Sequence, residues 1–203
     1  MIAIVDYGVG NLFSLKSSLK SIGQEALVTG EPEQIRRADK VILPGVGAFE
    51  DAAEKLRKSG LGEVVTAEAK QGKYLLGICL GMQMLFERSF EYGEHEGLGL
   101  LAGEVVDMRP VVPPGLKVPH IGWNALILKH PEHPLFRYTK QGDCVYFVHS
   151  FYAEHCDKSL LATAEYGIEL TAAVGRENVL GCQFHPEKSG AVGLKILQAF
   201  CEL

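Results

Sequence analysis

Apolar residues fall along the first half of the chain in two alternating rhythms. Residues 2–5, 25–28, 40–43 and 74–78 are short, mostly aliphatic runs, each predicting a buried strand. Between them apolar positions recur three and four apart. Leu12, Leu15, Leu19 and Ile22 predict a helix that Asn11 can cap, and further helical stretches fall between residues 48 and 73. A helix over 80–88 should follow the fourth strand. Strands alternating with helices in this way mean βαβ units and a parallel sheet. The second half reads differently. Short strands are expected at 104–108, 124–128, 143–148, 160–165 and 171–174, broken by turns such as Val112-Pro113-Pro114-Gly115. A further strand at 180–184 precedes a closing helix that Ser189 can cap and that turns Val192, Ile196, Leu197 and Phe200 inward. The expected fold is α/β, an open and mostly parallel sheet flanked by helices, with antiparallel strands added in the second half. One domain over residues 1–203 is expected, because no repeat, low-complexity tract or long linker interrupts the chain.

Composition narrows the class. With 203 residues, 47% hydrophobic and 22% charged, the chain can bury a substantial core. A net charge of -5 argues against a nucleic-acid partner and gives no attraction to a membrane surface. The opening run is apolar for only five residues, too few for a signal peptide or a span. Cys79, Cys144, Cys156, Cys182 and Cys201 are odd in number and contain no C-x-x-C pair. Neither a disulfide framework nor a zinc site is suggested, and reduced thiols in a cytoplasmic enzyme are expected. No metal and no cofactor is anticipated.

Three stretches carry possible chemistry. In Gly77-Ile78-Cys79-Leu80-Gly81-Met82-Gln83 an apolar strand ends on a cysteine and turns at once into a helical pattern. A nucleophile on such a tight turn is exposed, and the following backbone N–H groups point at what it attacks. The plainer alternative is a small apolar core residue. In Gln183-Phe184-His185-Pro186-Glu187, residues two apart in an extended segment face the same way. His185 and Glu187 could therefore act as base and orienting carboxylate, or form an ordinary surface ion pair. Pro44-Gly45-Val46-Gly47 at a strand end could aim N–H groups into an oxyanion hole with that of Leu80, or be a plain turn.

Other signals are set aside. The Asp6-Tyr7-Gly8-Val9-Gly10 turn lacks a dinucleotide fingerprint's third glycine, because Phe13 stands in its place. His130-Pro131-Glu132-His133 is expected to be a turn rather than a metal site. Met82 and Met84 are expected to pack in the core, and residues 91–96 to form a solvated acidic loop.

Taken together, the cysteine elbow and the Phe184-His185-Pro186-Glu187 stretch resemble the class I, triad-type glutamine amidotransferases of flavodoxin-like fold. Asp6-Tyr7-Gly8-Val9-Gly10-Asn11-Leu12, Leu43-Pro44-Gly45-Val46-Gly47-Ala48-Phe49, Pro119-His120-Ile121-Gly122-Trp123-Asn124 and Tyr146-Phe147-Val148-His149-Ser150 are similar to one branch of that family, the glutaminase subunits of imidazole glycerol phosphate synthases. Ile121 and Cys182 depart slightly from the branch pattern. The resemblance implies Cys79, His185 and Glu187 as the catalytic triad and N–H groups near Val46, Gly47 and Leu80 as the oxyanion hole. It implies Gly45, Gln83, His149, Ser150 and Phe151 as glutamine-binding positions. It further implies a separate (β/α)8-barrel cyclase subunit, to which ammonia passes, facing Asn11, Pro119, His120, Trp123, Asn124 and Lys188. Two other readings remain open at this point. One is a stand-alone cysteine hydrolase of γ-glutamyl compounds; the other is a catalytically silent regulatory subunit.

Overall fold

The computed structural model describes residues 1–203. Its first half is built from strands β1 (Ile2–Val5), β2 (Ala26–Thr29), β3 (Lys40–Gly45) and β4 (Tyr74–Cys79) with helices α1 (Leu12–Ser21), α2 (Pro32–Arg37), α3 (Phe49–Lys58) and α4 (Leu61–Lys70). A single helical turn, α5 (Leu80–Gln83), follows β4, then the two-residue strands β5 (Arg88–Ser89) and β6 (His95–Glu96). The second half adds β7 (Glu104–Asp107), β8 (His120–Leu128), β9 (Cys144–His149), β10 (Phe151–Glu154), β11 (Leu160–Glu165), β12 (Glu169–Arg176) and β13 (Val179–Cys182) before the closing helix α6 (Gly190–Cys201).

Nine strands form one sheet in the order β2-β1-β3-β4-β13-β12-β11-β8-β9. The five from β2 to β13 run parallel and the rest antiparallel, the mixed architecture expected. A smaller sheet has the order β10-β7-β5-β6. Side chains alternate across a strand, and β1 shows the consequence: Ala3 and Val5 enter one core while Ile2 and Ile4 enter another. The first core is covered by α2, α3 and α4 through Ile35, Phe49, Leu56, Val64 and Val65. The second is covered by α1 and α6 through Leu15, Leu19, Ile196, Leu197 and Phe200. Met82 and Met84 are buried in the first core, as packing residues should be.

Several local expectations need correction. The helix expected over 80–88 is one turn long, because the segment after it captures the carbonyls a longer helix would use. Leu98 N–H donates to Met84 O, Leu100 and Leu101 to Leu85 O, and Gly99 to Phe86 O. The short helix α2 and the strands β5, β6 and β10 lie outside the strands and helices read from periodicity, being too brief to establish one. Asn11 stands at the N-cap of α1 without a side-chain hydrogen bond. Ser189 likewise does not cap α6: its hydroxyl donates to His185 O (2.6 Å) and accepts from Tyr146 N–H (2.9 Å). It thereby ties the segment after β13 to β9.

The parallel strands bring their carboxyl ends together. Gly45 on β3 is in register with Cys79 on β4, and Cys182 on β13 is in register with Ile78. Three glycines make the junction possible. A Cβ on Gly81 would lie 1.9 Å from Leu43 O, one on Gly77 2.6 Å from Gly81 O, and one on Gly45 2.8 Å from Gly81 N. These are backbone atoms of β3 and α5 and cannot step aside cheaply. Gly81→Ala should therefore lower stability by about 1–3 kcal/mol through overpacking, read as a lower urea midpoint. An unchanged midpoint would show that the elbow has room.

Candidate active site

Cys79 closes β4 with φ 55° and ψ −113°, a conformation uncommon for a side chain larger than hydrogen. The strand-to-helix elbow holds it there, with Leu80 opening α5 directly after it. His185 lies three residues beyond the end of β13, its N–H bonded to Tyr146 O (2.9 Å). The Glu187 carboxylate faces its Nδ1 at 2.8 Å, and both side chains are almost fully enclosed. Burial is the largest influence on the His185 ring and pulls its pKa down. Hydrogen bonds to Cys79 and Glu187, with the charges behind them, outweigh it and carry the value up to about 9. The ring therefore holds a proton more tightly than a free imidazole does.

A cavity of about 290 Å³ opens on this group, lined by Cys79, His185, Val46, Gly47, Leu80 and Gln83 among others. Val46 and Gly47 stand exposed at its rim, Gly47 with φ +92° and open space around it. Gly45 is packed against Gly81 and the Tyr7 hydroxyl, which donates to Pro44 O at 2.7 Å. A larger hollow, about 490 Å³, lies between α3 and α4 and contains none of these groups, so the chemistry selects the smaller one.

Residues 3–202 match the family described as "Glutamine amidotransferase class-I". The chain belongs to that family. Two full-length relatives bear the name "Imidazole glycerol phosphate synthase subunit HisH". The protein of Caldanaerobacter subterraneus is 49% identical, covering 100% of this chain and 98% of its own. That of Bacillus subtilis is 47% identical, covering 100% and 96%. Among solved structures, a glutamine amidotransferase aligns with TM-score 0.77 at 21% identity, covering 100% of this chain and 98% of its own. "PurLQS from Thermotoga maritima" aligns with 0.77 at 22%, covering 99% and 97%. At such identities these two speak for the fold alone.

Of the residues expected to bind glutamine in this amidotransferase, Gln83, His149, Ser150 and Phe151 line the cavity while Gly45 is buried behind it. Most of those at the wall are also tied to one another. Gln83 donates both amide protons, to Phe151 O (3.1 Å) and to Gln183 Oε1 (3.0 Å). His149 Nδ1 lies 2.8 Å from the same Phe151 oxygen, and because a carbonyl only accepts, Nδ1 carries the proton. Its Nε2 then accepts from His120 Nδ1 at 3.1 Å, and His120 Nε2 accepts from Asn124 Nδ2 at 3.3 Å. Burial keeps both rings neutral, lowering His149 to about 3 and His120 to about 4.

That arrangement corrects the expectation for His120. It does not reach the surface: pairing with His149 across β8 and β9 turns it inward, stacked between Phe147 and Tyr166. Asn124 is half-buried and donates to Glu165 O as well. The other partner-facing positions are more open. Trp123 is 57% exposed, edge-on to Tyr146, whose ring also lies under the Lys188 ammonium. Pro119 is exposed, and Asn11 is half-buried at the start of α1.

Glu91 is a residue that sequence reading missed. It belongs to the run expected to be a solvated loop, yet its side chain lines the cavity and accepts the Phe49 N–H at 2.7 Å. Burial, partly offset by that N–H, holds its pKa above the usual carboxylate range. Nothing in one sequence separates it from the exposed Glu94 and Glu96. His133 in the expected turn accepts Leu135 N–H and caps a short 3-10 turn.

A raised histidine pKa stabilises the fold fully below the unfolded value near 6.5, and that stabilisation is lost as pH rises through about 9. Glu187→Gln should bring the His185 titration down, followed by NMR of its Cε1–H, and flatten the fall of the urea midpoint between pH 7 and 9.5. An unmoved titration would mean that the carboxylate does not set the ring's charge.

Proposed function

We propose that this chain is the glutaminase subunit of an imidazole glycerol phosphate synthase in histidine biosynthesis. The observation that carries the reading is the end-to-end likeness, close to half of all residues, to relatives bearing that name. Residues 1–203 act as one amidotransferase domain in this reading, which the sheet running from β1 to β13 supports.

The mechanism follows from the site. Cys79 attacks the side-chain amide carbon of glutamine, and His185, whose affinity for a proton is raised, takes the thiol proton. The tetrahedral oxyanion meets the N–H groups of Leu80 and of the Val46–Gly47 turn. His185 returns the proton to the leaving nitrogen, and ammonia departs as the γ-glutamyl thioester forms. Water, with His185 again as base, hydrolyses the thioester to glutamate and restores the thiol. Glu187 holds the ring in one orientation and stabilises its charge. At the other end of the substrate, Glu91 supplies a negative charge for the α-ammonium. Gln83, with both amide protons committed, can offer only its oxygen. His149, Ser150 and Phe151 complete the binding wall, with Gly45 packed behind it.

Ammonia released into water would be protonated and lose its nucleophilicity. It therefore passes to a (β/α)8-barrel cyclase subunit, docked over Trp123, Pro119, Asn124, Asn11 and Lys188, which makes imidazole glycerol phosphate and aminoimidazole carboxamide ribotide. No helix of the chain is long and apolar enough to cross a membrane. A cytoplasmic heterodimer is the corresponding proposal.

Glutamate release by the chain, with and without the cyclase and its nucleotide substrate, tests the reading. Low activity alone with a large rise in the ternary mixture is expected. Full activity indifferent to the cyclase would favour a free-standing γ-glutamyl hydrolase. In the complex, Cys79→Ala should abolish glutamine-dependent synthesis and leave ammonia-dependent synthesis intact. Glu187→Ala should cost less than His185→Ala, because orienting a base matters less than being one; equal losses would assign the carboxylate another task.

A further inference from the structure

We infer that Gln183 is a catalytic residue, an amide donor aimed at the Cys79 sulfur. This rests on Cys79 being the nucleophile. Gln183 is fully buried, directly after β13, and its Nε2 lies 3.7 Å from Cys79 Sγ. The two ends of a glutamine amide are alike in shape, so its direction has to be argued from its neighbours. A backbone carbonyl settles it. Phe151 O can only accept, so Gln83 must present its nitrogen there. The second proton on that nitrogen points at Gln183, which must answer with its oxygen. The nitrogen of Gln183 is thereby turned toward the sulfur. Flipping either amide would set donor against donor or acceptor against acceptor in a buried space, a costly arrangement.

The consequence is chemical. A sulfur that gains negative charge has two donors, the His185 ring on one side and the Gln183 amide on the other. His185 must leave that role to deliver a proton to the departing nitrogen, and to serve as base for water. Gln183 carries no exchangeable charge and stays in place through both steps. It stabilises the thiolate each time the thioester forms and collapses, without competing for the proton.

Two roles for Gln183 predict opposite results. If it only props the 149–151 segment through Gln83, replacing it loosens the cavity wall. Alkylation of Cys79 would then stay the same or quicken, and KM for glutamine would rise. If it donates to the sulfur, alkylation slows and kcat falls at unchanged KM. The variants are Gln183→Met, which keeps the volume, and Gln183→Asn, which keeps the amide but withdraws it from the sulfur. Iodoacetamide alkylation of the full chain is followed cysteine by cysteine by mass spectrometry, with exposed Cys144 as the internal reference for reagent reactivity and buried Cys156 as the reference for folding. Glutaminase kcat and KM are measured with the cyclase and its nucleotide bound.

Cys79 alkylation and kcat should each fall about tenfold or more, tenfold being the low end of what one hydrogen bond to a charged group is worth, with KM unmoved. Unchanged or faster alkylation, or a rise in KM with kcat intact, would overturn the assignment. Should Gln183→Met fail to fold, Gln183→Asn carries the same reading. An inactive wild-type complex would instead refute the proposed function, and the alkylation comparison would still decide the contact.

Discussion

Everything at the site depends on backbone packed directly against backbone. Gly45, Gly77 and Gly81 let the end of β3, the end of β4 and the turn of α5 meet with no side chain between them. This closeness permits the parallel register that sets Gly45 beside Cys79 and Cys182 beside Ile78. The sulfur, the exposed Val46–Gly47 turn and the His185 segment then converge on one cavity at the carboxyl edge of the sheet, where open α/β sheets bind ligands. Larger residues would separate the pieces by the width of a side chain, and no local adjustment would reunite them.

The cavity wall is polarised by a few fixed acceptors. Phe151 O receives protons from His149 and Gln83, and every donor and acceptor beyond them follows in turn. One branch runs through His149 and His120 to Asn124. The other runs through Gln83 and Gln183 to Cys79. Burial makes the scheme rigid, since neutral rings and amides without water have no cheap alternative partner. His185, paired with Glu187, meets the second branch at the Cys79 sulfur. There burial and ion pairing oppose each other, and pairing prevails.

Much of this was legible in the residues. The alternation of apolar runs and helical spacings placed the parallel strands, the antiparallel additions and α6 because period is a local property of the chain. The elbow at Cys79 and the two-residue spacing of His185 and Glu187 were likewise local. What failed was settled by distant partners. The helix expected over 80–88 stops after one turn because residues 98–101 take its carbonyls. Ser189 abandons its cap for Tyr146.

The sequence by itself determined the α/β class, the strand that carries Cys79 and the segment that carries His185 and Glu187, since each follows from spacing within a few residues. Only the tertiary structure decided that Glu91 enters the cavity, that His120 is buried, and that Gln183 turns its nitrogen to the sulfur. Those outcomes depend on which groups meet across 42, 29 and 104 positions of chain. Hydrogen-bond polarity is inherited from such a partner and leaves no period in the sequence.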